Sequence, residues 1–225
     1  MQILNVTSSV LQFLREKITV GELKPGHKLN ELSLSADLGV SRPPLREAFR
    51  ILERDHLVLN IPRKGTYVTE LSAKDFADIS QTREMIECYC IDLFNASNIR
   101  NLPEVTMALN RALSLSSPQD HVDSEKLLKY VKVLLDFHGK LIESTGNALL
   151  TSIYYAISFN LARYQFIYFN MDGTAQHSLD DHKRILELIE SGAYDQAKEE
   201  MKKHLRYTVD LVKTRILHST IACVG

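Results

Sequence analysis

Leu38-Gly39-Val40-Ser41-Arg42-Pro43-Pro44-Leu45-Arg46-Glu47-Ala48-Phe49-Arg50 organises everything around it. Gly39 supplies the left-handed residue that ends one short helix, which Asn30 caps at its start and which runs through Leu38. Ser41 caps the next, and Pro43 and Pro44 occupy its first turn, where missing amide donors cost little. From there Arg42, Arg46 and Arg50 recur every four residues and form one stripe. Leu45, Ala48, Phe49 and Leu52 fall on the opposite side and pack inward, until the helix ends near Asp55.

Upstream, Thr7, Ser8 and Ser9 are cap candidates for a helix carrying Val10, Leu11, Leu14 and Ile18, which Gly21 and Pro25-Gly26 stop. Downstream, residues 57–61 and 66–69 read as two strands joined by a basic turn, Pro62-Arg63-Lys64-Gly65. Helix, glycine turn, helix and hairpin make a winged helix-turn-helix. An apolar back and an arginine front suit a helix to the major groove, because arginine pairs with guanine edges and neutralises phosphate. The Ser41 hydroxyl and the free amides of the first turn are further phosphate donors, and Arg63 and Lys64 reach the backbone or minor groove. A solvated helix face paired with Glu47, Glu53 and Asp55 is the competing account; the adjoining cationic hairpin favours DNA.

The bulk numbers agree with a two-part chain. Of 225 residues, 44% are hydrophobic and the net charge is −1. Residues 1–70 hold ten Lys/Arg against eight Asp/Glu, the remainder seventeen against twenty. Cys88, Cys90 and Cys223 form neither a disulfide framework nor a C-x-x-C motif, and the N-terminus does not read as a signal peptide. The apolar run from Ala148 to Phe169 is interrupted by Asn160, Arg163 and Gln165, so it reads as a buried helix and not a membrane span. The expected compartment is the cytoplasm.

Beyond Ser72 strand signals give way to amphipathic helices at roughly 73–95, 102–115, 123–145, 147–170, 176–191 and 194–218. The expected fold is therefore mostly α: a winged helix-turn-helix DNA-binding domain with a two-stranded wing over 1–71, an all-helical ligand-sensing domain over 72–218, and a tail over 219–225. Ser191-Gly192-Ala193 is the one break between the last two helices, with His182 about ten residues before it and His204 about eleven after. In an antiparallel hairpin equal offsets put two residues at one height. His182 shares a face with Ile185, Leu186 and Ile189, and His138 with Leu134, Leu141 and Ile142, so these rings point inward. Three neutral imidazoles can hold a divalent metal such as Zn²⁺ with open positions for a carboxylate or water; the alternative is three core histidines with ordinary partners.

Leu23-Lys24-Pro25-Gly26, then residues 38–48, then Arg63-Lys64-Gly65-Thr66-Tyr67-Val68 resemble the signature of GntR-family regulators. The resemblance implies that Ser41, Arg42, Pro43, Arg46 and Arg50 face a palindromic operator bound by a homodimer, with Lys64 and Gly65 in the wing. Arg83 and Glu87, Phe137-His138, Ser144-Thr145-Gly146-Asn147 and His182 with His204 resemble the FCD-type ligand domain of the FadR subfamily. That likeness implies metal ligation by His138, His182 and His204, and an Arg83 that clamps the carboxylate of an organic or sugar acid, where spacing alone predicts an i,i+4 pair with Glu87. Asn147, Asn160, Arg163 and Tyr164 are further candidates to line the effector pocket. One departure stands out: where metal-binding members carry an aspartate four residues before the first histidine, this chain has Leu134, and Asp136 lies on roughly the opposite side of the helix.

The whole implies a ligand-switched transcription regulator, expected to repress, with DNA, a small effector and a second copy as partners and no membrane association. The alternative is a metal-dependent enzyme using Asp136 or Glu84 as acid/base. Against it, no Glu-x-x-His motif or nucleophile–base pair accompanies the histidines.

Overall fold

Val10, Leu14 and Ile18, spaced four apart, are all buried on one side of α1 (Val6–Thr19). The computed structural model describes residues 6–115 and 123–222, with side chains described to residue 216. The chain divides into two compact units, Met1–Leu71 and Ser72–Gly225.

In the first unit α1 is followed by β1 (Lys28–Leu29), α2 (Glu31–Asp37), α3 (Arg42–Arg54), β2 (Val58–Ile61) and β3 (Gly65–Val68). Thr7, Ser8 and Ser9 lie inside α1 and do not precede it, a correction to the capping expectation. Asn30 caps α2 through its side-chain oxygen, which accepts from Leu32 N and Ser33 N. Gly39 takes φ +62, which an L side chain adopts only with strain, and so lets the chain turn sharply between α2 and α3. Leu45, Ala48, Phe49 and Leu52 of α3 are buried, and α1 packs on α3. Arg15 and Asp55 add a part-buried ion pair between the two helices.

The sheet has three strands in the order β1-β3-β2, all antiparallel. The sequence reading gave two. It missed β1 because two residues are too few to show a period-2 pattern; the Pro25-Gly26 turn brings them back alongside β3, where Gly26 N–H donates to Val68 O (3.0 Å) and Val68 N–H to His27 O (2.9 Å).

The second unit contains α4 (Ala73–Ala96), α5 (Pro103–Ser114), α6 (Ser124–Glu143), α7 (Ala148–Phe169), α8 (Thr174–Ser191) and α9 (Tyr194–Ala222). Helix α4 packs on α9, α6 on α5 and α7, and α8 on α9. Gly192 sits at φ +83 and ends α8 with Ala193 N–H donating to Leu188 O (2.8 Å), so α9 turns straight back along α8. Helix α9 continues past residue 218 to Ala222, because nothing between Leu211 and Ala222 is a glycine or proline that would stop it. Cys223 and the last residues of the expected tail lie outside the described residues. No described helix is long and apolar enough to cross a membrane.

Candidate nucleic-acid interface and metal centre

The polar face of α3 is exposed at Ser41, Arg42, Pro43, Arg46 and Arg50, while its apolar face is buried. Ser41 stands at the N-cap with extended backbone, yet its side chain makes no capping hydrogen bond, so the hydroxyl is left for an outside partner. Pro43 and Pro44 remove two first-turn amides, which corrects the expectation of a set of free donors: the Arg42 N–H is the one that remains beside Ser41. Arg46 Nε donates to Glu31 Oε2 at 2.9 Å and Arg50 Nη1 to Glu47 Oε2 at 3.3 Å, but both guanidinium groups remain mostly exposed. Such surface pairs are worth about 0.2–1 kcal/mol and yield readily to a phosphate or a base.

Beside them the turn between β2 and β3 holds Arg63 at φ +64, with Lys64 N–H donating to Ile61 O at 3.0 Å. Together Arg42, Arg46, Arg50, Arg63, Lys64 and Gly65 line one open groove of about 590 Å³. Lys28 of β1 lines it too, with its Nζ 5.9 Å from the Tyr67 ring centre. Sequence reasoning missed Lys28, and only the third strand brings it there.

In the second unit His138 of α6, His182 of α8 and His204 of α9 are all buried and converge. His182 Nε2 lies 3.0 Å from His138 Nε2 and 3.2 Å from His204 Nε2. Behind the rings, His138 Nδ1–H donates to Glu87 Oε2 at 2.7 Å and His204 Nδ1–H to Asp181 Oδ2 at 2.9 Å. A carboxylate acceptor holds the proton on Nδ1, so both Nε2 atoms carry lone pairs. His182 has at most one Nε2 proton for two acceptors. Its Nδ1 is buried without a hydrogen-bond partner among the described residues.

A cation among the three nitrogens resolves that conflict. Ligands at ~2.0–2.1 Å from a metal sit about 3.3–3.4 Å apart in a tetrahedron and about 2.8–3.0 Å apart at adjacent corners of an octahedron, a range that spans the two separations from His182, and all three nitrogens lie within 4.8 Å of one another. Burial, against the pull of Glu87, lowers the His138 pKa to about 4, and burial with the neighbouring rings holds His182 well below its ordinary 6.5. Both are therefore neutral, the ligating form. Burial alone would raise Glu87, but Arg83 and His138 outweigh it and hold its carboxyl at about 2. The donor set thus fits a divalent metal. Leu134 is 2% exposed and occupies the aspartate's place with a side chain that ligates nothing.

The other expected effector residues fare differently. Arg83 does pair with Glu87 (Nε to Oε1, 2.9 Å), but the pair is buried, and Arg83 Nη2 has no hydrogen-bond partner among the described residues. A small cavity of about 10 Å³ beside the triad is lined by the three histidines with Leu134, Leu135, Gln165, Phe169 and Ser178. Asn147, Arg163 and Tyr164 are not among the residues lining this cavity. Asn147 is exposed and spends its oxygen capping α7, accepting from Leu149 N and Leu150 N. Tyr164 stacks on Phe76 (4.5 Å between centres) and hydrogen-bonds Ser72, tying α7 to the start of α4. Arg163 is buried beside Asn160, to which its Nη1 donates at 3.4 Å.

Asp136 pairs with Arg111 (2.8 Å) and Glu84 with Arg206 (2.6 Å), and neither lines the cavity beside the triad. Buried Cys88 and Cys90 have thiols pushed up by burial to about 11 and about 12, and are inert. Glu87 as partner of His138, Asp181, Gln165 and Ser178 were all missed by the sequence as site residues. Asp181 was the most accessible of these, since a ligating histidine regularly has a carboxylate behind it.

Comparison with known proteins agrees with this geometry. Residues 6–68 match the model of the bacterial regulatory proteins of the gntR family, and residues 78–207 match the FCD domain. The chain is 28% identical over 210 residues to the uncharacterized HTH-type transcriptional regulator YdhC of Bacillus subtilis (strain 168), covering 92% of each. It is 24% identical over 206 residues to the gluconate operon transcriptional repressor of Bacillus licheniformis, covering 90% of this chain and 82% of that one. Its fold is similar to the crystal structure of a GntR regulator from Rhodococcus sp. RHA1, with a TM-score of 0.71, 26% identity, and 92% and 96% of the two chains covered. These are transcription regulators and not enzymes.

Proposed function

The chain belongs to the GntR family of bacterial regulatory proteins, with an FCD ligand-binding domain after its DNA-binding domain, and from that premise we propose that it is a metal-assisted acid sensor that represses transcription as a homodimer. Residues 1–71 read a palindromic operator and residues 72–218 bind the effector. Arg42, Arg46 and Arg50 enter the major groove, Ser41 and Pro43 abut the backbone at the start of α3, and Arg63, Lys64 and Gly65 follow it from the wing. The observation that carries this is the single groove in which those arginines and the wing meet.

In the FCD domain His138, His182 and His204 are the ligands of a divalent cation such as Zn²⁺, which supplies a Lewis-acid point of attachment for a carboxylate. Glu87 and Asp181 fix the two outer rings, and Arg83, with an unmatched buried Nη2, is joined to that arrangement through Glu87. A gluconate operon repressor among the relatives supports a sugar or organic acid as effector and repression as the mode. Effector binding favours one arrangement of the helical bundle, and linkage then moves the dimer between spacings of α3 that do and do not fit half-sites one turn apart.

The test has two readouts. Arg46→Ala is expected to lose about 1–3 kcal/mol of operator affinity in a gel shift with an unchanged melting curve; unchanged affinity sinks the DNA assignment. Protein purified without chelator is expected to carry one divalent ion per chain, lost in His182→Ala. Metal-free protein that still responds to its effector sinks the metal assignment.

A further inference from the structure

A leucine stands among the cations of the nucleic-acid groove. Leu32, the second residue of α2, is 63% exposed and lines the groove that Arg42, Arg46, Arg50, Arg63 and Lys64 share. The other apolar side chains of that lining, Leu29 and Phe49, are buried. Leu32 takes no part in the core. Helix α2 turns Leu34 and Leu38, four residues apart, toward the domain as half-buried residues, and Leu32 stands about 200° around the helix from Leu34. Single exposed leucines are common on protein surfaces; what sets this one apart is its place.

That place is fixed. Asn30 Oδ1 accepts from Leu32 N at 2.9 Å, which holds the first turn of α2. The neighbouring Glu31 accepts from Arg46 Nε at 2.9 Å, which joins α2 to the middle of the arginine stripe. A duplex that meets Arg42, Arg46 and Arg50 therefore also meets Leu32, whose side chain then leaves water. Against phosphate, or against the hydrogen-bonding edges of guanine, adenine and cytosine, it desolvates a polar group and returns no hydrogen bond. The C5-methyl of thymine is the apolar group that the major groove displays.

We propose that Leu32 is a specificity-determining residue, whose side chain packs on the C5-methyl of one thymine in each half-site, beside the bases that the α3 arginines read. Arginine favours guanine, so α2 adds to the read-out a base that the stripe does not select. This rests on the operator reading above and adds to it a residue, a second helix and a base.

In the test, full-length protein first selects duplexes from a random-sequence pool. Gel shifts then compare the enriched duplex with copies in which each thymidine in turn is deoxyuridine, whose base lacks only the methyl group. Replacement at one thymine per half-site is expected to weaken wild-type binding about fourfold, the effect of returning one buried methyl to water. Leu32→Ala is expected to bind the thymine and uracil copies of that position equally and to select duplexes without that thymine. Its melting curve is expected to match the wild type, because the residue is exposed. Wild-type protein indifferent to every uracil replacement overturns the proposal alone. So does a methyl effect that persists undiminished in Leu32→Ala, or a Leu32→Ala that weakens enriched and random duplexes alike, which marks a sugar–phosphate contact. A pool from which no sequence is enriched overturns the operator reading and this one together.

Discussion

Glu87 of α4 accepts the Nδ1 proton of His138 of α6 at 2.7 Å, and its other oxygen takes Arg83 Nε at 2.9 Å. One buried carboxylate thus orients the His138 ring and neutralises a buried guanidinium. The i,i+4 pair that spacing predicted is present, and its carboxylate also reaches the histidine triad.

Glu87→Gln separates those roles. The amide leaves Arg83 buried with weakened pairing and no longer selects the His138 tautomer. Metal affinity is expected to fall by about 10–100-fold, measurable by competition with a chromophoric chelator, and stability by about 3–5 kcal/mol, measurable by urea unfolding. Undiminished metal affinity would mean that Glu87 has no part in positioning the ring.

Acid is expected to unfold the metal-free protein. His138, at about 4 when folded, and His182, well below 6.5, take up protons more readily unfolded, so their contribution is present above about pH 6.5 and fades as pH falls toward 4. For His138 it is on the order of 3 kcal/mol. Glu87, at about 2 against its ordinary 4.5, adds a loss that begins below pH 4.5. Urea midpoints of chelator-treated protein between pH 7 and 4 check this; a level profile contradicts it.

Lys28→Ala is expected to weaken DNA binding alike on specific and random sequences and to lower the salt slope by about one, the signature of a lost phosphate contact. Gel shifts across a salt series measure it. A change of sequence preference would instead assign Lys28 to base reading.

Gly192→Ala tests the hairpin that sets the histidine register. The new Cβ would have φ +83 and lie 2.8 Å from the Arg100 guanidinium carbon. A loss of about 1–2 kcal/mol in thermal unfolding is expected, together with weaker metal binding. A melting temperature equal to that of the parent protein would show the turn to be dispensable.

The local code of the first unit was legible because caps, glycines and periodicity act over a few residues: Asn30, Gly39 and the arginine stripe specify α2, the turn and α3 without help. Equal offsets about Gly192 likewise forecast that His182 and His204 meet. What sequence could not supply was everything that depends on distant segments sharing one place. Strand β1 exists because β3 offers it an edge, and Lys28 joins the groove only through that strand. Asn147, Arg163 and Tyr164 were named by their place on or beside α7, and only packing shows Asn147 at its cap, Arg163 beside Asn160 and Tyr164 at the foot of α4. Glu87, Gln165, Ser178 and Asp181 come from three helices, and their convergence on the triad is a product of packing, which no spacing along the chain encodes.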